Sequence, residues 1–174
     1  MRTAWTLFAT AALLLSQSPS ARGRQRVERE VRKEILRLPF YGVYDWITFS
    51  VDGYKVTLSG AVSRPTLKTD AERVVKKIEG VESVTNNIEV LPLSPNDDRI
   101  RNEVAAAIFR HSSMTRYAIQ GPNAPIHILV KNGSVELAGV VASESDKTIA
   151  GLQANGVSGV FGVKNNLVVE KKGK

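Results

Sequence analysis

The sequence predicts an α+β protein built of two tandem modules. Each is expected to run helix, strand, strand, helix, strand and to fold as a three-stranded mixed sheet with two helices on one face. Three observations predict this. First, the chain repeats itself: Gly80 to Val90, GVESVTNNIEV, is echoed by Gly159 to Val169, GVFGVKNNLVV. At the same 79-residue offset Val56 to Val62 lies over Val135 to Val141, and Ile47, Phe49 and Val51 lie over Ile126, Ile128 and Val130. Second, the apolar residues of these segments alternate, as they do in half-buried strands. Third, the stretches between them carry apolar residues at spacings of three and four, as helices do. A repeat fixes the domain count, here two modules of about 70 residues each.

The elements follow in order. Val27, Val31, Ile35 and Leu38 share one face of a helix over 24–38, which Pro39 ends because it has no N–H to donate. Ile47, Phe49 and Val51, then Asp52-Gly53, then Val56 and Leu58 make a hairpin, with Gly53 supplying the positive φ of the turn. A second helix is expected over 65–78, with Leu67, Ala71, Val74, Val75 and Ile78 inward, stopped by Gly80. Val84, Asn86, Ile88 and Val90 share one side of the closing strand. Leu91 to Asp98, with two prolines and capping residues, separates the copies. The second copy repeats the order with a helix over 97–110, a hairpin turning at Asn132-Gly133, a helix over 143–154 and a strand over 163–169. Upstream the offset shortens to 73 residues, with Val27, Glu30, Val31 and Ile35 over Ile100, Glu103, Val104 and Ile108. The second copy therefore carries an insertion between His111 and Ala124. Gly151 makes its second helix the least regular, because glycine costs about 1 kcal/mol there relative to alanine.

Residues 1–23 read as a secretory signal peptide: Arg2 gives a positive start, Ala4 to Leu15 an apolar stretch, and Ser16 to Gly23 a region with small residues. That apolar stretch falls short of the roughly 20 residues that span a bilayer. The expected boundaries are then 24–91 for module one, 92–98 for the linker, 99–170 for module two and 171–174 for a basic tail. No cysteine is present, so neither a disulfide nor a lipid on an N-terminal cysteine is available. Export without disulfides fits a bacterial periplasm. The net charge of +7 becomes +5 if cleavage after Gly23 removes Arg2 and Arg22. Such an excess favours polyanions, and export points to membrane head groups over nucleic acid.

The pattern Val-x-Leu-x-Gly-x-Val, a short helix, then Gly-Val-x-x-Val-x-Asn-x-[Ile/Leu]-x-Val resembles the BON domain. It is carried by Val56, Leu58, Gly60, Val62, Gly80, Val81, Val84, Asn86, Ile88 and Val90, and again by Val135, Leu137, Gly139, Val141, Gly159, Val160, Val163, Asn165, Leu167 and Val169. The resemblance implies an α+β sandwich in each copy and a non-enzymatic role at the cell envelope, where such domains bind phospholipid surfaces and support osmotic or other stress tolerance. The motif residues Gly60, Gly80, Asn86, Gly139, Gly159 and Asn165 read as structural. Gly60 and Gly139 are expected where a strand passes beneath a helix. The two asparagines alternate in phase with core residues, so their amides should bond backbone.

Reactive groups are scarce. His111 and His127 lack the paired spacing of a metal site, and His127, between Ile126 and Ile128, should face solvent or an interface. No Gly-x-Ser-x-Gly elbow occurs, and the glycines of Asn155 to Gly162 lack the lysine of a phosphate loop. Asp97-Asp98 and Glu144 with Asp146 sit at helix starts, where they cap. Catalysis and cofactors are thus not expected. On the first helix Glu28, Glu30 and Glu34 interleave with six basic residues, the pattern of a solvated face. Arg99, Arg101 and Arg110 meet fewer acids, and the following loop adds Met114, Arg116 and Tyr117. These six are the candidate contact residues for anionic phospholipid head groups in peripheral binding. The alternative is a protein-interaction module, in which exposed strand edges and the same loop dock an envelope protein or a second copy of the chain, and the residues equally suit a helix packed on the neighbouring module with Tyr117 covering its loop.

Overall fold

The computed structural model describes residues 21–170 apart from residue 120, so the expected basic tail and nearly all of the expected signal peptide lie outside the described residues. Module one comprises α1 (Ala21–Leu36), β1 (Trp46–Asp52), β2 (Lys55–Val62), α2 (Pro65–Val75) and β3 (Ser83–Val90). Module two comprises α3 (Pro95–Arg110), β4 (Ile126–Lys131), β5 (Ser134–Val141), α4 (Glu144–Asn155), β6 (Gly162–Asn165) and β7 (Val168–Val169). The strand order is β1-β2-β3 and β4-β5-β6, with β7 also on β5. In each module a two-residue turn makes the first pair antiparallel, and the helix crossover makes the second pair parallel.

The helices shift modestly from expectation. Residues 21–23 belong to α1, and α2 ends at Val75. Ser94 caps α3 by accepting from the Asp97 N–H, and Pro95 takes the first turn, where a missing N–H costs nothing. Residues 95 and 96, expected in the linker ahead of a helix over 97–110, are therefore helical as well. The closing strand of module two is broken at Asn166-Leu167, yet the Asn166 N–H still donates to Leu137 O at 2.8 Å. Gly151 has a physical reason: a Cβ there would lie 2.8 Å from the Asn165 amide nitrogen. Its counterpart in module one is Glu72, which bonds the equivalent Asn86 at 3.0 Å.

Gly60 and Gly139 correct the sequence reading. Both have strongly positive φ, 112° and 120°. A Cβ on Gly60 would lie 2.0 Å from Trp46 O, and one on Gly139 2.2 Å from Pro125 O. The close approach is to the backbone at the start of the neighbouring strand, not to a helix.

Each module has its own core. Val27, Val31, Ile35, Val56, Leu58, Leu67 and Ile88 fill the first. Ile100, Val104, Ile108, Met114, Ile126, Ile128, Leu137 and Leu167 fill the second, which also takes in Val43 from module one. Val43 lies in the segment joining α1 to β1. Its carbonyl accepts the Ile128 N–H at 2.8 Å, and the neighbouring Tyr44 hydroxyl donates to Asn102 Oδ1 at 2.8 Å. Module one thereby inserts a tight turn, closed by the Asp45 N–H donating to Gly42 O at 3.1 Å, between α3 and the outer edge of β4.

Candidate functional site: the helical face of module two and the seam between modules

The six candidate contact residues do not form one exposed surface. Three are buried. Arg101 is 4% exposed: it pairs with Asp98 and donates to Val130 O at 2.7 Å, closing the outer edge of β4. Met114 is fully buried, because the inserted loop turns it into the module core. Tyr117 is buried as well; its hydroxyl donates to Asp146 and accepts the Ala142 N–H at 2.8 Å. The insertion is thus a plug over the β5–α4 junction. None of these three reaches a head group.

Asp146 anchors that plug. The Ser143 hydroxyl donates to it at 2.6 Å while accepting the Asp146 N–H, a reciprocal cap at the start of α4. The Ser143 bond, with those of Tyr117 and Arg116, holds the Asp146 carboxyl below the usual range against the opposing effect of burial. Arg116 lies over the Tyr117 ring and pairs with this carboxylate. Arg99 pairs with Glu103 and also donates to Ser158 O, beside Gly159. Its counterpart at the shorter offset, Arg26, donates to Glu79 O, beside Gly80. Both modules therefore tie the start of their first helix to the loop after their second, a repeat of function that side-chain spacing alone did not reveal.

Arg110 is different. It is exposed at the end of α3, and among the described residues no carboxylate pairs with it. It borders a shallow groove between α3 and α4 with Glu103, Ala106, Ala107, His111 and Gln153, and Leu152, which precedes Gln153 on α4, is 66% exposed. An unpaired cation thus stands at the groove, and an exposed aliphatic side chain lies one residue along α4 from its lining.

The asparagines are half-buried and make the backbone bonds expected of them. Asn86 donates to Lys68 O at 2.9 Å and accepts the Ile88 N–H; Asn165 donates to Lys147 O at 2.7 Å and accepts the Leu167 N–H. Each ties the closing strand to the second helix. Replacing Asn86 by alanine leaves a carbonyl and an N–H without this partner and is expected to cost about 1–2 kcal/mol in urea unfolding. Unchanged stability would contradict the structural role.

The seam holds the groups that sequence reasoning placed least well. His127 is 2% exposed, and its ring lies 4.6 Å from that of Trp46. Its Nδ1 is 3.2 Å from Gly42 O. The interfacial position is the one found, with Leu129 also turned toward Trp46, Ala61 and Leu91. Asp45, buried nearby, accepts Ser63 N–H and hydroxyl bonds at 2.7 and 2.8 Å and so caps the end of β2. Burial pushes the His127 pKa below its ordinary 6.5, against carbonyl contacts that raise it. The unfolded chain then binds the proton more readily. The His127 contribution to stability is complete above pH 6.5 and is lost as pH falls through that value toward the lowered folded pKa. His127→Gln is expected to flatten the thermal-midpoint profile between pH 7 and 5; an unchanged slope would contradict the assignment.

A cleft of about 560 Å³ between α1 and α2 is lined by Arg26, Glu30, Glu34, Val74, Lys77 and Ile78 among others, and by no histidine. Among the described residues no group of three or more His, Asp and Glu is placed to hold a metal ion, and no helix is long and apolar enough to cross a membrane.

The family model of the BON domain matches residues 24–92 and 96–171, so the chain belongs to the BON domain family and carries two copies of it. The chain is 28% identical over 128 residues to osmotically-inducible protein Y of Escherichia coli (strain K12). That match takes in 70% of this chain and 60% of that protein, so the chain spans less than two thirds of its relative's length. Among solved structures, the C-terminal domain of CdsD, a structural protein of the type III secretion system of Chlamydia trachomatis, aligns with 82% of this chain and 96% of its own, at a TM-score of 0.33 and 14% identity. A second CdsD structure gives 0.30 and 13% over 83% and 92%.

Proposed function

We propose that this is a non-enzymatic, periplasmic envelope protein that associates peripherally with anionic phospholipid surfaces and supports osmotic or related stress tolerance. The family and the osmotically inducible relative support the physiological setting. The observation that carries the contact surface is Arg110 exposed beside the α3–α4 groove with Leu152 near it. A basic residue near an anionic surface contributes about 1 kcal/mol, and an aliphatic group beside it can enter the interface. Of the six sequence candidates, Arg99, Arg110 and Arg116 remain for this role, with Arg99 and Arg116 partly neutralised by Glu103 and Asp146. The test is co-sedimentation of residues 21–174 with neutral and with anionic vesicles at low and high salt. Binding to anionic vesicles alone, weakening as salt rises, is expected. Retention by neutral vesicles, or none by either, would overturn the reading.

A further inference from the structure

The outer side of α1 carries charge of one sign. At about 100° of turn per residue, Arg26, Arg29, Arg32 and Lys33 fall within an arc of about 120° opposite the buried Val27 and Val31. Arg37, just beyond the helix end, continues the row, and all five side chains are exposed. Glu28, Glu30 and Glu34 are half-buried and lie to either side, about 100° or more around the helix from Arg29. Acids and bases that interleave in the sequence are therefore segregated once the helix is wound, with the cations outermost. Arg26 reaches Glu79 at 3.1 Å, Lys33 reaches Glu30 at 2.9 Å and Arg37 reaches Glu34 at 3.5 Å, surface pairs that solvent screens. Among the described residues Arg29 and Arg32 pair with no carboxylate; the Arg32 guanidinium lies over the Phe49 ring, 5.6 Å from its centre.

The fold does not require this row. At the 73-residue offset Arg26 and Arg37 have basic counterparts in Arg99 and Arg110, but Arg29, Arg32 and Lys33 give way to Asn102, Ala105 and Ala106. Asn102 receives the Tyr44 hydroxyl of module one, and Ala105 is buried. The cations thus belong to the helix whose outer side is open.

We infer that this row on α1 is a contact surface of module one for anionic phospholipid head groups, additional to the α3–α4 face of module two; the inference rests on the membrane reading proposed above. The charges are carried on long side chains around a convex helix surface, an arrangement suited to head groups spread in a plane. Each basic residue near an anionic surface adds to the attraction. Contacts on two modules of one chain reinforce each other when both reach the same surface.

The test is co-sedimentation of residues 21–174 with vesicles of phosphatidylcholine alone or mixed with phosphatidylglycerol, at about 0.1 M salt, where charges more than about 10 Å from the contact are screened. Arg29→Glu with Arg32→Glu is expected to lower affinity for the mixed vesicles on the order of a hundredfold while the thermal midpoint changes little. Lys55→Glu with Lys164→Glu makes an equal change of net charge at exposed strand positions, next to the inward Val56 and Val163, and should bind nearly as the unchanged protein does. If the α1 variant binds like the unchanged protein while Arg110→Glu loses affinity, the inference is overturned and the module-two contact stands. Equal losses in the two double variants would overturn it as well, because net charge alone would then govern binding. Failure of the unchanged protein to bind either vesicle would overturn both readings, and its capture by polyglutamate instead would identify an acidic protein as the occupant.

Discussion

Gly60→Ala and Gly139→Ala are each expected to lower stability by roughly 3 kcal/mol or more, through two costs that add. An L-residue held at the φ of 112° or 120° found here is strained by about 1–3 kcal/mol. The new methyl must also displace a backbone carbonyl, Trp46 O at 2.0 Å or Pro125 O at 2.2 Å, and overpacking typically costs another 1–3 kcal/mol. Neither strand can yield easily, because the hairpin ladder fixes both sides of the contact. Gly42→Ala is the control, since nothing lies within 4 Å of its added methyl and its φ is not in the left-handed region. Thermal midpoints should fall by on the order of 10 °C for the first two substitutions and hardly move for the third. A small effect at Gly60 would contradict the close strand contact.

Val43→Asp is expected to cost about 3 kcal/mol or more and to act on module two, although Val43 belongs to the chain of module one. The side chain is 7% exposed and lies in the second core, where a carboxylate loses its hydration among apolar neighbours. Val43→Ala should cost about 2 kcal/mol, the price of a small cavity. In residues 21–174 the one tryptophan is Trp46, which stacks on His127 and so reports the seam directly. Its fluorescence should change in Val43→Asp before the module-one core unfolds. Loss of both modules in a single unshifted transition would contradict the assignment of Val43 to the second core.

Much of this was legible because periodicity and repetition are local signals. The alternation of Ile47, Phe49 and Val51 and the helical spacing of Val27, Val31 and Ile35 placed these residues inward, and the echo of Asn86 in Asn165 marked the closing strand of each module. What escaped depends on contacts between distant parts of the chain. Arg101 reads as a surface cation until Val130 O is known to lie beside it, and Met114 and Tyr117 read as exposed until the insertion is seen to fold back on α4. The opposite environments of Phe49 and Ile128, equivalent by repeat, arise because one module lends a segment to the other. A comparison of Arg26 with Arg99 at the shorter offset would have exposed their shared role, since each precedes a buried aliphatic residue on its helix.

The most direct test of the account is vesicle binding by Arg110→Glu beside the unchanged protein, at low salt on anionic vesicles, with Arg101 left intact because it is part of the fold. The account predicts a loss of roughly tenfold in affinity from reversing one surface charge, with the thermal midpoint unchanged. Equal binding by the two proteins would contradict the assignment of the α3–α4 face as the membrane contact.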